Sequence, residues 1–272
     1  MSDMLSILFK NNELIKTRHS LTLEESRFLE IVLLEVQKQK SNIVFIDKET
    51  IDSNISNNNF KTQEGFKEFF DTLMKNTVEI KKGKSWGKIA LVSTAIYDNE
   101  SMKYRVEVPI TLLELLITYK QTGFTPINVG KFVSLNKTNA QRFYELLRMW
   151  TNSKEVIEYN VDDIKLYLKI ENKYKLFKDF RVRVIEPAIK ELKEKDMLDI
   201  YKVEYIRKGR KINSIKFYVK DLEPRNYKFN TESKFKKPKI NPVGFNNFTQ
   251  RVYDYEKLEK QLLGWDTDED DE

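Results

Sequence analysis

The apolar pattern along the chain changes period repeatedly, and each change marks an element. Residues 21–39, LTLEESRFLEIVLLEVQKQ, form the first clear helix. Thr22 is placed to cap it, with Glu25 three residues on, a capping-box pattern. A short strand over 42–46 and a short helix over 48–55 follow, and Asn57, Asn58 and Asn59 make a turn. Over 60–77, Phe66, Phe69, Phe70, Leu73, Met74 and Thr77 fall on one face of a helix. The runs 78–82, 86–98 and 102–109 are β-branched and aromatic and are separated by Gly or Asn-Glu turns, which predicts a sheet with hairpins. Pro109 then opens a helix over 110–120, a position that proline tolerates.

Helix, strand, helix, helix, hairpin is the order of a winged helix, and it recurs. Residues 138–150 form a helix with Phe143, Leu146, Leu147 and Trp150 aligned. A strand over 156–159 leads to Asn160, which caps a small helix burying Val161, Ile164 and Leu168. A long helix is predicted from Tyr174 to Asp196, kinked at Pro187, with its partner-facing part before the proline and its core-packing part after it. A hairpin over 199–221 turns at Lys208-Gly209. Two copies of one layout argue for a structural duplication. Sequence identity between the copies is negligible, and only the order of elements repeats. The predicted fold class is α+β, mostly helical: two tandem winged helix-turn-helix domains, 5–122 and 125–222, joined near Gly123–Pro126. A basic-then-acidic tail, 223–272, follows; its first part is polar and Pro/Gly-punctuated and is expected to be largely disordered.

Composition narrows the function. A chain of 272 residues with 40% apolar content can bury two ordinary cores. Formal net charge is +6, and the acidic stretch 266–272 conceals a body of +12. Such a body suits a polyanion, most commonly double-stranded nucleic acid. The absence of cysteine excludes disulfides, thiolate nucleophiles and cysteine-bound zinc and fits a reducing cytoplasm. The N-terminus lacks the pattern of a signal peptide, and no run approaches the roughly 18 apolar residues of a membrane span. No membrane partner is expected.

The strongest local signal lies in the long helix of the second half. From 173 to 183 stand Lys173, Lys175, Lys178, Arg181 and Arg183 against one acid, Asp179. A helix N-terminus prefers acids, so these cations serve something other than the helix dipole. Phe180, Val184, Ala188, Ile189 and Leu192 define the core stripe, and Lys175, Asp179 and Arg183 point away from it; Arg181 projects closer to it. The N-terminal part of such a helix enters the major groove, where arginine can pair with guanine and lysine holds phosphate. The hairpin tip adds Arg207, Lys208, Arg210 and Lys211, as a wing over the minor groove or backbone would. The corresponding first-half helix balances three bases with three acids, leaving Lys61, Lys82 and Lys84 as weaker candidates and a dimer interface as an alternative use.

Catalytic readings find little footing. His19 is the only histidine, which excludes a His-hydrophobe-His metal site. The triplet Gly83-Lys84-Ser85 lacks the glycine that a phosphate-binding loop needs at position 78, which is Val78. No enzyme activity, cofactor or metal is expected; a carboxylate-metal nuclease is the rival from the enzyme class.

Four stretches resemble one family. NNELIKTRHSLTLEESRFLEIVLL (11–34) looks like the opening of the iteron-type plasmid replication initiators, and NAQRFYELLRMW (139–150) resembles their Arg-hydrophobe-Tyr-Glu-Leu-Leu signature. YKLFKDFRVRVIEPAIKEL (174–192), followed by YIRKGRKINSIKFYV (205–219), resembles their recognition helix and wing. The resemblance spans about 5–222. It implies binding to directly repeated sites at a replication origin, in theta-type replication of a plasmid. It implies a homodimer in equilibrium with monomer, with autorepression by the dimer, and recruitment of the host helicase machinery. It also implies that the first domain serves dimerisation and accessory DNA contact while the second is the main reader. By position, Lys175, Lys178, Arg181 and Arg183, with Lys208, Arg210 and Lys211, match the family's DNA-contacting regions. The tail segment 244–263 is either a docking element for a host helicase or loader or simply disordered. A winged-helix transcriptional regulator, or a phage or mobile-element replisome organiser, would share every charge argument above.

Overall fold

A computed structural model of the chain describes residues 7–17, 20–55, 62–82, 85–118 and 123–225; for 80–82 and 85 it describes the backbone alone. The first half contains β1 (Ile7–Asn11), α1 (Asn12–Ile15), α2 (Leu23–Gln39), β2 (Ile43–Asp47), α3 (Lys48–Asn54) and α4 (Gln63–Lys75). Strands β3 (Thr77–Lys82), β4 (Ser85–Ala90), β5 (Thr94–Asp98) and β6 (Lys103–Glu107) and helix α5 (Ile110–Ile117) complete it. The second half contains β7 (Phe124–Asn128), α6 (Val129–Ser134), α7 (Thr138–Arg148), β8 (Val156–Asn160) and α8 (Val161–Tyr167). Helix α9 then runs in three parts, Phe177–Phe180, Arg181–Ile185 and Glu186–Glu194, before β9 (Leu198–Lys208) and β10 (Lys211–Asp221). Of the predicted C-terminal tail 223–272, residues 226–272 lie outside the described residues, as do the Asn57–Asn59 turn and His19, whereas its first residues continue the fold: Glu223 is buried and accepts from the Tyr144 hydroxyl at 2.9 Å, and Arg225 pairs with Asp221 at 2.7 Å.

Helix α2 organises the first core. Its capping box forms as expected: the Glu25 N–H donates to Thr22 Oγ1 at 3.2 Å, and the Thr22 N–H donates to Glu25 Oε2 at 2.7 Å. Its residues from Glu25 to Leu34 are buried on every side, so it is wrapped by neighbours instead of facing solvent. The Phe28 ring meets Phe69 and Phe70 of α4 and Tyr104 of β6 edge-on, at 5.6, 5.2 and 6.4 Å. On α4, Phe69, Phe70 and Leu73 are buried as the periodicity requires, but Met74 is 38% exposed at the edge of that face. The run 86–98 is not one strand. It breaks at Leu91–Ser93, where Leu91 and Val92 turn into the core, and β5 pairs with β6 while β4 pairs with β3. The resulting sheet order is β2-β6-β5, with β3-β4 as a separate hairpin; the second half has the simpler order β8-β10-β9.

The stretch expected to link the halves is built into structure. Strand β7 pairs antiparallel with β1, Leu8 opposite Ile127 and Lys10 opposite Thr125. Each strand leads through an asparagine cap into a short helix: Asn11 accepts from the Glu13 N–H, and Asn128 from the Lys131 N–H. Each short helix is followed by a core helix, α2 or α7. The duplication therefore has a sequence trace after all. Arg27-Phe28-x-Glu30 occupies the fifth to eighth residues of α2, and Arg142-Phe143-x-Glu145 the same steps of α7.

These repeated residues cross the seam. Arg27 Nη2 donates to the carbonyl of Leu135 at 2.8 Å, just beyond α6, and to Asn136 Oδ1 at 3.2 Å. Arg142 Nη2 donates to the carbonyls of Ile15 and Thr17 at 3.0 and 3.1 Å, where α1 ends. Each cation thus covers the C-terminal carbonyls of the other half's short helix, the end that favours positive charge. The two glutamates meet at one ammonium: Lys10 Nζ lies 2.7 Å from Glu30 Oε2 and 2.5 Å from Glu145 Oε1. Arg142 closes the cluster, 2.5 Å from Glu145 Oε2. All four side chains are buried.

Candidate nucleic-acid interface

The site is built on α9 and the β9–β10 hairpin. The core stripe of α9 repeats every four residues, Phe180, Val184, Ala188 and Leu192, and all four are fully buried. A four-residue step keeps these side chains on one face of a helix, but the helix beneath them is not regular. It widens at Arg181–Ile185, which is a π-turn: the Glu186 N–H reaches back five residues to the Arg181 carbonyl. Pro187 follows directly, in the first turn of the final α segment, where its missing N–H and fixed φ are tolerated. The proline is therefore accommodated by a wide turn on its N-terminal side. The expected division at Pro187 does not hold, because Phe180, Val184 and Ile185 pack into the core before it.

The helix begins at Phe177, three residues later than its pattern predicts. Tyr174 has a left-handed φ of +54°, which ends any helical continuity there. Lys173 and Lys175 consequently lie in the turn ahead of the helix, exposed, while Lys178 and Arg183 are exposed on it. Leu176 makes no side-chain cap, so its position leaves the first N–H groups of α9 uncovered by that side chain. Aromatic rings fasten this end to the wing: Phe177 stands edge-on to Tyr205 of β9 at 5.2 Å and to Phe180 at 6.2 Å.

Strands β9 and β10 extend well past the core and reverse over Gly209 and Arg210. Gly209 takes a φ of +64°, the conformation that tight hairpins ask of their first turn residue. Arg207, Lys208, Arg210 and Lys211 are all exposed at this tip, and Lys208 stands directly opposite Lys211. Like charges at opposed positions repel. The tip therefore carries an unfavourable charge pattern that an anion would relieve.

Ion pairing separates these cations from their neighbours. In the same domain Lys190, Lys193, Lys202 and Lys216 pair with Glu194, Asp199, Glu204 and Glu158 at 3.7, 3.2, 2.6 and 3.8 Å. Among the described residues, no carboxylate lies within 4.0 Å of Lys173, Lys175, Lys178, Arg183, Arg207, Lys208, Arg210 or Lys211. Arg181 differs. Its Nε is 3.2 Å from Glu186 Oε1, and its guanidinium lies 5.9 Å from the Tyr205 ring centroid. It is partly committed within the protein, on the core side of the helix as its position in the pattern indicated.

Residues 7–148 match the family described as Initiator Replication protein, WH1, and residues 160–219 match Initiator Rep protein, WH2. The chain belongs to the initiator replication protein family. Two tandem winged helices are its architecture. Over 82% of its length and the whole of the other chain, this initiator superposes on the Pi initiator protein crystallised with iteron DNA, at a TM-score of 0.63 and 19% identity. Domains 2 and 3 of RctB align over 76% of this chain and 86% of theirs, at a TM-score of 0.44 and 11% identity. Among curated proteins, none matches its sequence.

The first domain of this initiator presents a different surface. On α4, Lys67 and Lys75 are exposed alongside Glu64, Glu68 and Asp71, so that helix is not cationic. Lys61 and Lys84, and the side chain of Lys82, lie outside the described residues. Trp86 on β4 is 76% exposed, opposite Lys81 in the hairpin register. Sequence pattern alone counts an aromatic residue in a strand as core, so no signal in the sequence marked it. Among the described residues, no cluster of His, Asp or Glu could hold a metal ion, and no helix is long and apolar enough to cross a membrane.

Proposed function

We propose that this initiator binds double-stranded DNA sequence-specifically at directly repeated sites of a replication origin, and that it acts by binding and not by catalysis. The observation that carries the reading is the set of eight exposed cations on the α9 entry, α9 and the wing tip that have no carboxylate within 4.0 Å among the described residues. Folding holds them together without neutralising them, and a phosphate backbone supplies the missing charge. Helix α9 enters the major groove with Lys178 and Arg183 leading, Lys173 and Lys175 hold the phosphates at its entry, and the wing tip follows the adjacent backbone or minor groove. The complex of the Pi initiator protein with iteron DNA supports repeats as the target.

The second domain, 125–222, is the main reader, and the first, 5–122, serves dimerisation and accessory contact. The monomer starts theta-type replication of a plasmid in the bacterial cytoplasm, and the homodimer in equilibrium with it represses its own promoter. The tail, 223–272, recruits a host helicase or its loader. The test is charge reversal. Lys178→Glu with Arg183→Glu abolishes specific binding in a mobility-shift assay while leaving the circular dichroism spectrum and Tm unchanged. Wild-type affinity in that double variant would remove α9 from the interface.

A further inference from the structure

Opposite the buried stripe of α9 runs an outward line at the same four-residue spacing: Lys178, Val182, Glu186 and Lys190, all exposed. Three of the four are charged. Val182 is the exception, and it is 45% exposed with a β-branched apolar side chain in mid-helix. Helix propensity does not favour valine there, and its exposed surface gains nothing from the fold. Its place is set by the backbone: Val182 lies within the π-turn Arg181–Ile185, between the uncommitted Lys178 and Arg183. A π-turn inside an α-helix often marks a functional position. Here it presents one apolar side chain on the cationic face, while Arg181 on its other side is held back by Glu186.

We propose that Val182 is a specificity-determining residue that packs on the C5 methyl group of a thymine in the major groove. The inference rests on the placement of α9 proposed above. The chemistry is specific, because the thymine methyl is the one apolar group that base edges offer in that groove. Lysine and arginine on either side hold the backbone or a guanine edge, and the valine, between them, faces the base pairs. Glu186 pairs with Arg181 at 3.2 Å, which offsets part of its repulsion toward phosphate.

The test finds the DNA site by selection. The full chain is used to select from random duplex libraries synthesised with thymine and, in parallel, with uracil, which lacks only the methyl. In the best thymine-containing duplex each thymine is then replaced singly by uracil. At one position the wild type loses about fourfold in affinity, the worth of one methyl withdrawn from water. Val182→Ala binds that duplex correspondingly more weakly and is indifferent to the same replacement, while Val182→Ile retains the preference. A wild type indifferent to every replacement, or a Val182→Ala variant that keeps the full methyl preference, overturns the proposal. If the wild type selects no motif from the thymine library, the sequence-specific reading falls and this inference falls with it. If a motif is selected but Lys178→Glu with Arg183→Glu leaves it intact, α9 is not the reader and Val182 cannot be.

Discussion

Glu30 and Glu145 stand at the eighth residue of two corresponding helices, one in each half of the chain, and both bond the ammonium of Lys10, at 2.7 and 2.5 Å. One cation from β1 thus satisfies the same position of both copies. The strand that would supply its counterpart, β7, places Thr125 opposite it. The two carboxylates fare differently. Burial raises the Glu30 carboxyl, to about 7, and Lys10 only partly offsets this. Burial acts on Glu145 too, but Lys10 and Arg142 together hold it below the usual range. Arg142 bonds Glu145 directly, whereas Glu30 has one buried oxygen, Oε1, without a hydrogen-bond partner among the described residues.

A pH dependence follows. The unfolded chain releases the Glu30 proton near 4.5, while the fold keeps it until about 7. Stability therefore falls as pH rises between those values, and the loss is complete above the upper one. Glu145, depressed, acts in the opposite sense but at pH below 4.5. Glu30→Gln is expected to flatten the urea-unfolding midpoint between pH 5 and 8. At pH 8 it should be more stable than wild type by on the order of 1–3 kcal/mol. Parallel pH profiles for the two proteins would show that Glu30 carries no such proton.

Removing the shared cation leaves two buried carboxylates facing Arg142 alone. Lys10→Met is expected to cost about 3–5 kcal/mol, as the loss of one partner of a buried ion pair does. Adding Glu30→Gln to it should restore a measurable part of that loss, since the neutral amide no longer needs a counter-charge. Strict additivity of the two changes in a double-mutant cycle would mean that the residues are not coupled.

At the wing tip, Gly209→Ala is expected to cost about 1 kcal/mol, through backbone strain alone. The φ of +64° is the cause, because a Cβ built there meets nothing within 4 Å. Gly209→Asn, which tolerates the left-handed region, should cost less. Equal losses for both in thermal unfolding would point to a steric clash at the tip instead.

Binding should weaken steeply with salt, since each neutralised phosphate releases counterions. With eight cations that lack a carboxylate partner among the described residues, the slope of log K against log salt is expected near −5 to −7, at roughly −0.9 per phosphate. Lys208→Gln with Lys211→Gln should make it shallower by about 2. A slope unchanged in that variant would place the wing away from the DNA.

Much of this was legible in the apolar pattern. The capping box at Thr22, the stripe of α9 and the two-domain order followed from spacing and turn chemistry, which are local properties. The π-turn was not legible, because the four-residue spacing of Phe180, Val184, Ala188 and Leu192 equally fits a regular α-helix and Pro187 suggests only a kink. The late start of α9 depends on the backbone at Tyr174, which no side-chain pattern reports. The seam was hidden for a different reason. Lys10, Glu30, Arg142 and Glu145 are scattered over more than 130 positions, and only the antiparallel pairing of β1 with β7 brings them into one buried cluster. The Arg-Phe-x-Glu repeat carried that signal, but four positions in helices of unequal length are too few to notice before the halves are superposed. On the candidate interface, sequence marked which residues are basic. The structure added which of them lack a carboxylate partner among the described residues, and gave Arg181 its partner, Glu186.

The most direct test of the account is a footprint of the purified full chain on the DNA flanking its own gene. Protection of several evenly spaced direct repeats, lost in the Lys178→Glu, Arg183→Glu variant, is the predicted result. Absence of any protected site at moderate salt, or the same protection by the double variant, would contradict the claim that α9 and its wing read an origin.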